Sequence, residues 1–168
     1  IDILINNAAT NPTFGAVADQ SLEVFEKILA VNVKGPFELA RLVFPIMRER
    51  GGGSIINIAS VGALRPEPML GLYSVSKAAL ISLTQVLAQE GGDAGIRVNA
   101  ICPGLVQTKF SAALWQNEAV LSTFMSHVPL GRMAQPDEIV PLAVFLASNA
   151  ASYCTGGVYT VDGGHMVG

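Results

Sequence analysis

Short apolar runs alternate along the chain with longer segments in which apolar residues recur at helical spacing. The short runs predict four strands, and the longer segments predict the helices that join them. The predicted strands are Asp2–Asn6, Ser54–Ala59, Ile96–Cys102 and Val158–Val161. The predicted helices run from Ser21 to about Arg50, from Tyr73 to about Gln89 and from Pro136 to about Ser148. Because strands and helices alternate, the pattern predicts right-handed βαβ units and a parallel sheet.

Local signals mark the ends of the predicted helices. Ser21 is a suitable N-cap, and Glu23 follows in the first turn, where the helix dipole favours an acidic side chain. Three glycines, Gly51–Gly53, end this helix. Pro136 opens the last helix, and Pro141 is expected to lie inside it and to remove one backbone hydrogen bond.

The length of the chain and its first predicted strand indicate the domain organisation. The 168 residues are enough for one domain with a substantial core. The first predicted strand is apolar, starts at Asp2 without any lead-in, and is expected to be buried. Strands of a parallel sheet need neighbours on both sides, so we expect residues 1–168 to form part of a larger sheet.

Composition and charge narrow the class of protein. Hydrophobic residues make up 51% of the chain and charged residues 14%, which is typical of an α/β protein with a covered sheet. The net charge of −3 and the absence of basic runs argue against nucleic-acid binding. No apolar run is long enough to span a membrane, so we expect a soluble, cytoplasmic protein. Cys102 and Cys154 are interpreted as buried thiols, and the isolated His127 and His165 do not indicate a metal site.

One pair of side chains stands out as candidate chemistry. Tyr73 and Lys77 are four residues apart at the start of a predicted helix and therefore share one helical face. A cation beside a tyrosine favours the phenolate, so we expect the pKa of Tyr73 to fall towards neutrality and the residue to act as an acid or base. The alternative is a tyrosine–lysine pair on a solvated helix face.

Two further polar residues occupy notable positions. Ser60 follows the second predicted strand, at the end where open α/β sheets bind ligands, although it could simply cap a turn. Asn32 lies on the apolar stripe of the first helix, where a buried amide needs partners, either as a structural group or as part of a site. Residues 105–135 lack a clear period and could be a functional lid or a satellite hydrophobic cluster.

The order and spacing of these residues resemble the short-chain dehydrogenase/reductase family. The matching positions are Asn6–Asn7–Ala8, Asn32, Ser60, Tyr73 with Lys77, Pro103–Gly104 and Thr108. Within the family, the chain looks most similar to NADP-dependent carbonyl and retinal reductases and to bacterial ketoreductases. Ala9 departs from the family's glycine. The glycine-rich turn that holds the dinucleotide pyrophosphate is absent from these residues.

The resemblance implies a fold and a set of catalytic roles. The fold would be a Rossmann-like, doubly wound parallel sheet without its N-terminal βαβ portion, about two-thirds of such an enzyme. Tyr73 would be the general acid or base, and Ser60 would hydrogen-bond the same substrate oxygen. Lys77 would lower the pKa of Tyr73 and hold the ribose hydroxyls of the cofactor, and Asn32 would position a water molecule.

The resemblance also implies a cofactor, NADP or NAD, with NADP slightly favoured. Asn7 and Ala8 would lie along its adenosine side, and Pro103 with Gly104 would lie against its nicotinamide ring. Thr108 and the backbone of Val106 would meet the carboxamide group. Tyr73 and Lys77 would contact the cofactor as well as the substrate.

The implied activity is hydride transfer between NAD(P)(H) and a carbonyl or secondary-alcohol substrate. Four apolar side chains suggest an apolar substrate side: Leu64, Met69, Leu114 and Trp115. The expected assembly is a homodimer or homotetramer formed through the two long helices. The alternative is a catalytically incompetent chain that acts only as an oligomerisation or interaction module.

Overall fold

The computed structural model describes all residues from Ile1 to Gly168 and contains one four-stranded parallel sheet. Its strands are β1 (Ile3–Asn6), β2 (Gly53–Ile58), β3 (Ile96–Pro103) and β4 (Val158–Val161). They lie side by side in the order β1-β2-β3-β4, and each neighbouring pair is parallel. The predicted α/β class and parallel sheet are therefore confirmed.

Six α-helices lie in the segments that connect the strands. They are α1 (Leu22–Leu29), α2 (Gly35–Glu49), α3 (Gly71–Gly91), α4 (Ala112–Trp115), α5 (Glu118–Met125) and α6 (Val140–Ala147). None of them combines the length and the apolar character needed to cross a bilayer.

The two central strands are buried because helices cover both faces of the sheet. Alternate residues of a strand point to opposite faces. Ile55 and Val98 accordingly pack in one cluster with residues of α2 and α3, whereas Ile56 and Ile101 pack in another with Leu146 of α6. Helices on both faces give the doubly wound arrangement that the family resemblance implied.

The first strand is less buried than expected. Ile3 and Ile5 of β1 are each 48% exposed, and Asn6 is the buried residue of this strand. The reason is that β1 lies at the edge of the sheet and pairs only with β2. The Ile3 and Ile5 side chains point away from the face on which Leu4 meets the core cluster.

The first helical segment contains a turn that the sequence pattern does not reveal. Ser21 is the N-cap as predicted, because its hydroxyl accepts a hydrogen bond from the Val24 N–H at 3.3 Å. Between α1 and α2, however, residues Ala30–Lys34 form a π-helical turn. This wider turn carries the fully buried Asn32. Such turns are frequent at functional sites.

Two expectations about the second half of the chain need correction. The α-helical part of the last helix begins at Val140, after a 3₁₀ turn at Pro136–Glu138. Pro141 therefore lies in the first turn, where its missing N–H costs no intrahelical bond. The segment 105–135 is also more regular than expected, since it contains α4, α5 and a parallel bridge between Val106 and Ala134.

A chain of buried polar side chains connects the sheet to α3. Asn6 Nδ2 donates to Asn57 Oδ1 at 2.8 Å, and Asn57 Nδ2 donates to Thr84 Oγ1 at 2.8 Å. The Thr84 hydroxyl in turn donates to the Leu80 carbonyl. These bonds satisfy groups that would otherwise be buried without partners, and they connect β1 and β2 to α3.

We expect Thr84→Val to reduce the free energy of unfolding by about 1–3 kcal/mol, because it leaves the buried Asn57 amide without its acceptor. Urea unfolding measures the change. Thr123→Val is the matched control, since Thr123 is exposed on α5 and its hydroxyl meets only the Ala119 carbonyl. A loss no greater than that of the control would show that the buried chain contributes little to stability.

Candidate active site

The sequence-predicted site residues gather at one edge of the sheet. Asn7 follows β1, Ser60 follows β2, and Pro103 is the last residue of β3. Because the strands are parallel, their carboxyl ends share this edge, which is where open α/β sheets bind ligands.

Ser60 caps a turn and still has a proton to donate. It precedes the 3₁₀ turn at Val61–Ala63, and its Oγ accepts a hydrogen bond from the Gly62 N–H at 3.1 Å. This contact uses a lone pair of the hydroxyl and leaves its proton available for another partner. Capping and a role in a site are therefore compatible at Ser60.

The side chains of Tyr73 and Lys77 lie close together at the start of α3. The Lys77 Nζ lies 5.6 Å from the centre of the Tyr73 ring. It donates a hydrogen bond of 2.7 Å to the Ile58 carbonyl at the end of β2. Lys77 is only 2% exposed, which excludes a solvated lysine on an outer helix face.

The expected fall in the pKa of Tyr73 is wrong for this structure. Burial raises the pKa of Tyr73 to about 12, and a hydrogen bond with the Ser60 side chain offsets only part of that rise. Burial also lowers the pKa of Lys77 to about 8. Burial penalises a charge on either group, and this penalty is the largest cause of both pKa shifts. Tyr73 is therefore a protonated phenol at neutral pH.

Asn32 is held from two sides. Its Oδ1 accepts from the Thr10 N–H at 2.8 Å, and its Nδ2 donates to the Thr10 carbonyl and to Ser76 Oγ, both at 3.0 Å. The Ser76 hydroxyl donates to the Tyr73 carbonyl at 2.7 Å. Asn32 therefore connects the segment after β1 to the backbone of Tyr73. The Tyr-x-x-Ser-Lys spacing could have suggested Ser76, but the sequence reasoning missed it.

The expected cofactor residues lie along the same edge. Asn7 and Ala8 are exposed directly after β1. Gly104 packs so closely on the segment after β4 that an added Cβ would lie 2.9 Å from Asp162 Cα. Val106 and Thr108 follow on a segment anchored by the Val106–Ala134 bridge.

Three neighbours of the site were not identified as such from the sequence. The Phe110 ring lies 5.9 Å from the Tyr73 ring at a tilt of 45°. Ser111 hydrogen-bonds with Val106 and Thr108. Cys102 is fully buried at the end of β3, and burial raises the pKa of its thiol to about 11. Cys102 matches the predicted buried thiol, whereas Cys154 is only partly buried.

The end of the chain contacts the loop that precedes Tyr73. His165 Nε2 lies 3.3 Å from Glu67 Oε1, and the His165 ring stacks on Phe124 of α5 with 4.3 Å between ring centres. His127, distant in sequence, lies with its ring centre 6.1 Å from that of His165. The structure contains no cluster of three or more His, Cys, Asp or Glu side chains arranged to hold a metal ion.

Comparison with known proteins places this arrangement in a class. The sequence model of the family described as enoyl-(acyl carrier protein) reductase matches residues 1–166. The fold and the sequence thus define a Rossmann-like protein of the dehydrogenase and reductase type. The chain belongs to the short-chain dehydrogenase/reductase family, whose members are NAD(P)-dependent oxidoreductases.

The chain spans about three-fifths of the length of the curated relatives that it matches. Dehydrogenase/reductase SDR family member 4 from Sus scrofa is 44% identical over 164 residues, which cover 98% of this chain and 59% of that protein. The protein of the same name from Homo sapiens is 42% identical over 164 residues, which cover 98% of this chain and 59% of that protein.

Solved structures agree with the fold. A gluconate 5-dehydrogenase from Burkholderia cenocepacia in complex with NADP and tartrate has a TM-score of 0.97 at 33% identity, covering 100% of this chain and 66% of that one. A 4-hydroxyisoleucine dehydrogenase complexed with NADH has a TM-score of 0.94 at 38% identity, covering 99% and 69%.

Proposed function

We propose that the protein transfers a hydride between NAD(P)(H) and a carbonyl or secondary-alcohol substrate. The observation that carries this proposal is the convergence of Ser60, Tyr73 and Lys77 at the carboxyl edge of the sheet. Two hydroxyl donors and one buried ammonium group lie there together. Reduction of a carbonyl group builds negative charge on its oxygen, and such donors stabilise that charge.

The residues at this edge fit a nicotinamide dinucleotide. Gly104 packs directly against Asp162, so a side chain there would displace the segment after β4, and the Val106 N–H has no hydrogen-bond partner in the structure. Lys77 has two Nζ protons left after its bond to Ile58, which suit the ribose hydroxyls. The bound cofactor supplies the hydride. Solved relatives hold NADP in one case and NADH in another, so both forms remain within the proposal.

Tyr73 is the proton donor in the reductive direction. With a pKa raised to about 12 by burial, it carries its proton at neutral pH and can transfer it to the substrate oxygen. Ser60 donates a second hydrogen bond to the same oxygen. Lys77, positively charged below a pKa of about 8, stabilises the phenolate that remains on Tyr73.

Asn32 has a supporting role in this proposal. Thr10 and Ser76 accept both protons of its side-chain amide, the amide oxygen accepts one hydrogen bond from Thr10, and the π-turn that carries Asn32 contacts α3. We assign to Asn32 the placement of a water molecule that passes protons from solvent to Lys77. The hydrogen bonds from Asn32 to Ser76 and from Ser76 to the Tyr73 carbonyl hold the π-turn in place against α3.

The substrate side is assigned an apolar character. Leu64 and Met69 are each 43% exposed on the loop before α3, and the exposed Phe110 ring covers part of Tyr73. Leu114 and Trp115 lie on α4, which follows Phe110 closely in the chain. These side chains favour a substrate with a hydrophobic group beside its carbonyl carbon.

Ser60→Ala tests the proposal in the longest natural protein that contains this chain. We expect wild-type protein to oxidise NADPH or NADH in the presence of apolar ketones, followed by the absorbance of the reduced nicotinamide. The variant should lose about a hundredfold in turnover, because one of two donors to the developing oxyanion is removed. Ser152→Ala, on the exposed turn after α6, should match wild type.

A second candidate function rests on exposed apolar surface. Large hydrophobic side chains remain exposed on the two long helices: Phe37, Leu39, Leu42 and Ile46 on α2, and Val75 and Val86 on α3. Such surfaces are typical of subunit interfaces, and we propose that the protein forms a homodimer or homotetramer through them. A protein that assembles but oxidises neither dinucleotide would favour this role over the enzymatic one.

A further inference from the structure

Ser111 lies at the centre of a hydrogen-bond cluster beside the proposed nicotinamide site. It is 9% exposed and precedes α4. Its Oγ lies 2.5 Å from the Val106 carbonyl and 3.1 Å from Thr108 Oγ1, and it accepts from the Thr108 N–H at 3.2 Å. No partner outside this segment contacts the Ser111 hydroxyl.

The cluster has a single self-consistent set of proton positions. A serine hydroxyl has one proton, and the shortest contact assigns that proton to the Val106 carbonyl rather than to the Thr108 carbonyl at 3.3 Å. The Ser111 oxygen is then an acceptor for everything else. The Thr108 hydroxyl must therefore donate its own proton to Ser111.

This arrangement decides what Thr108 can offer to a ligand. Its proton points to Ser111, and one lone pair accepts the Ser111 N–H at 3.3 Å. What remains is one acceptor position. The Val106 carbonyl is occupied, whereas the Val106 N–H has no partner. The Val106 N–H is thus an unpaired donor, and Thr108 Oγ1 keeps one acceptor position beside it.

We propose that Ser111 is a positioning residue that fixes this donor–acceptor polarity and thereby makes the segment selective for a primary carboxamide. A carboxamide has a carbonyl oxygen for the Val106 N–H and an NH₂ group for Thr108 Oγ1. The inference rests on the proposed function, since it takes the nicotinamide carboxamide as the occupant. It goes beyond that function by assigning the hydrogen-bond direction to a residue that need not touch the cofactor.

Binding of a cofactor analogue tests the inference without any turnover. The 3-acetylpyridine analogue of the dinucleotide keeps the carbonyl oxygen and replaces NH₂ by a methyl group. Calorimetry on the longest natural protein that contains this chain should show that the natural dinucleotide binds about three- to tenfold more tightly than the analogue. In Ser111→Ala, the Thr108 hydroxyl can turn its proton towards the ligand, so its acceptor position is no longer fixed and this ratio should fall.

Two further variants separate positioning from a loss of structure. Thr108→Val should abolish the ratio, and adding Ser111→Ala to it should change the ratio no further, because both substitutions act through one hydroxyl. Ser111→Thr retains the hydroxyl and should preserve the ratio. General loosening of the segment would weaken the natural dinucleotide and the analogue equally.

The outcomes distinguish the two proposals. An unchanged ratio in Ser111→Ala, with both dinucleotides still binding, overturns the role of Ser111 and leaves the proposed function intact. Failure of wild-type protein to bind NADPH and NADH overturns the proposed function, and the inference with it.

Discussion

Replacing Tyr73 by phenylalanine should lower the turnover number for carbonyl reduction by about a thousandfold, with little change in dinucleotide affinity. The substitution removes the phenolic proton and keeps the ring, so the contact with Phe110 at 5.9 Å remains. Ser60 cannot replace the lost acid, because a serine hydroxyl has a far higher pKa and yields its proton poorly. Steady-state kinetics and calorimetric titration with NADPH and NADH measure the two quantities.

Tyr153→Phe is the matched control for this experiment. Tyr153 is fully exposed on the surface after α6, so loss of its hydroxyl should leave turnover unchanged. If Tyr73→Phe retained more than about a tenth of the wild-type turnover, the assignment of the proton donor would be wrong.

Lys77→Met should give the second large effect, a loss of about a hundredfold in turnover together with weaker dinucleotide binding. Methionine fills similar space but removes the ammonium group that lies 5.6 Å from the Tyr73 ring. The phenolate formed on Tyr73 then has no positive partner, and the ribose hydroxyls lose their proposed donor.

The same substitution should change how stability depends on pH. Burial lowers the pKa of Lys77 from 10.5 to about 8, so between those values the folded protein has released a proton that the unfolded chain still holds. The unfolded state then binds more protons, and the free energy of unfolding rises with pH. Above about pH 9 the raised pKa of Cys102 acts in the opposite direction, and above about pH 10 the raised pKa of Tyr73 does so as well. Lys77→Met should lack the rise between about pH 8 and 9.

Lys27→Met provides the comparison for both measurements. Lys27 is exposed on α1, and its replacement should alter neither turnover nor the pH dependence of urea unfolding. A Lys77→Met protein with the wild-type pH dependence would show that Lys77 does not titrate abnormally in the folded state.

The sheet could be predicted because its information is local and periodic. Each of the four apolar runs is a few residues long, is flanked by glycine, proline or a polar turn, and became a strand within a residue or so of its predicted ends. The alternation with helices then leaves parallel pairing as the favoured topology. What the pattern does not reveal is which strand lies at an edge, and the burial expected for Ile3 and Ile5 was wrong for that reason.

The electrostatics of the site could not be predicted from spacing alone. The four-residue interval between Tyr73 and Lys77 correctly places the two side chains together. The direction of the pKa change depends on how deeply the phenol is buried, while Ser60 lowers and Cys102 raises the pKa from positions outside its helix. The spacing identifies Tyr73 and Lys77 as neighbours, whereas burial determines whether the pKa of Tyr73 rises or falls.

The remaining features depend on backbone details that composition does not encode. The π-turn at Ala30–Lys34 adds a residue to a helical turn although none of its five residues is a glycine or a proline; Gly35 and Pro36 follow it directly. Ser111 looks like an ordinary loop serine until the structure folds it against Val106 and Thr108. Both features depend on hydrogen bonds among a few neighbouring residues. The spacing of apolar residues in the sequence does not predict such bonds.

Trp115 is an intrinsic fluorescent probe for α4 and the neighbouring Thr108. It is the single tryptophan in the chain, and its indole Nε1–H donates to the Thr108 carbonyl at 3.1 Å. The wavelength of indole emission depends on the polarity around the ring, so fluorescence from this chain reports on one location without an attached dye. Rearrangement of α4 relative to Thr108 can therefore be followed by stopped-flow mixing, on the timescale at which loops open and close.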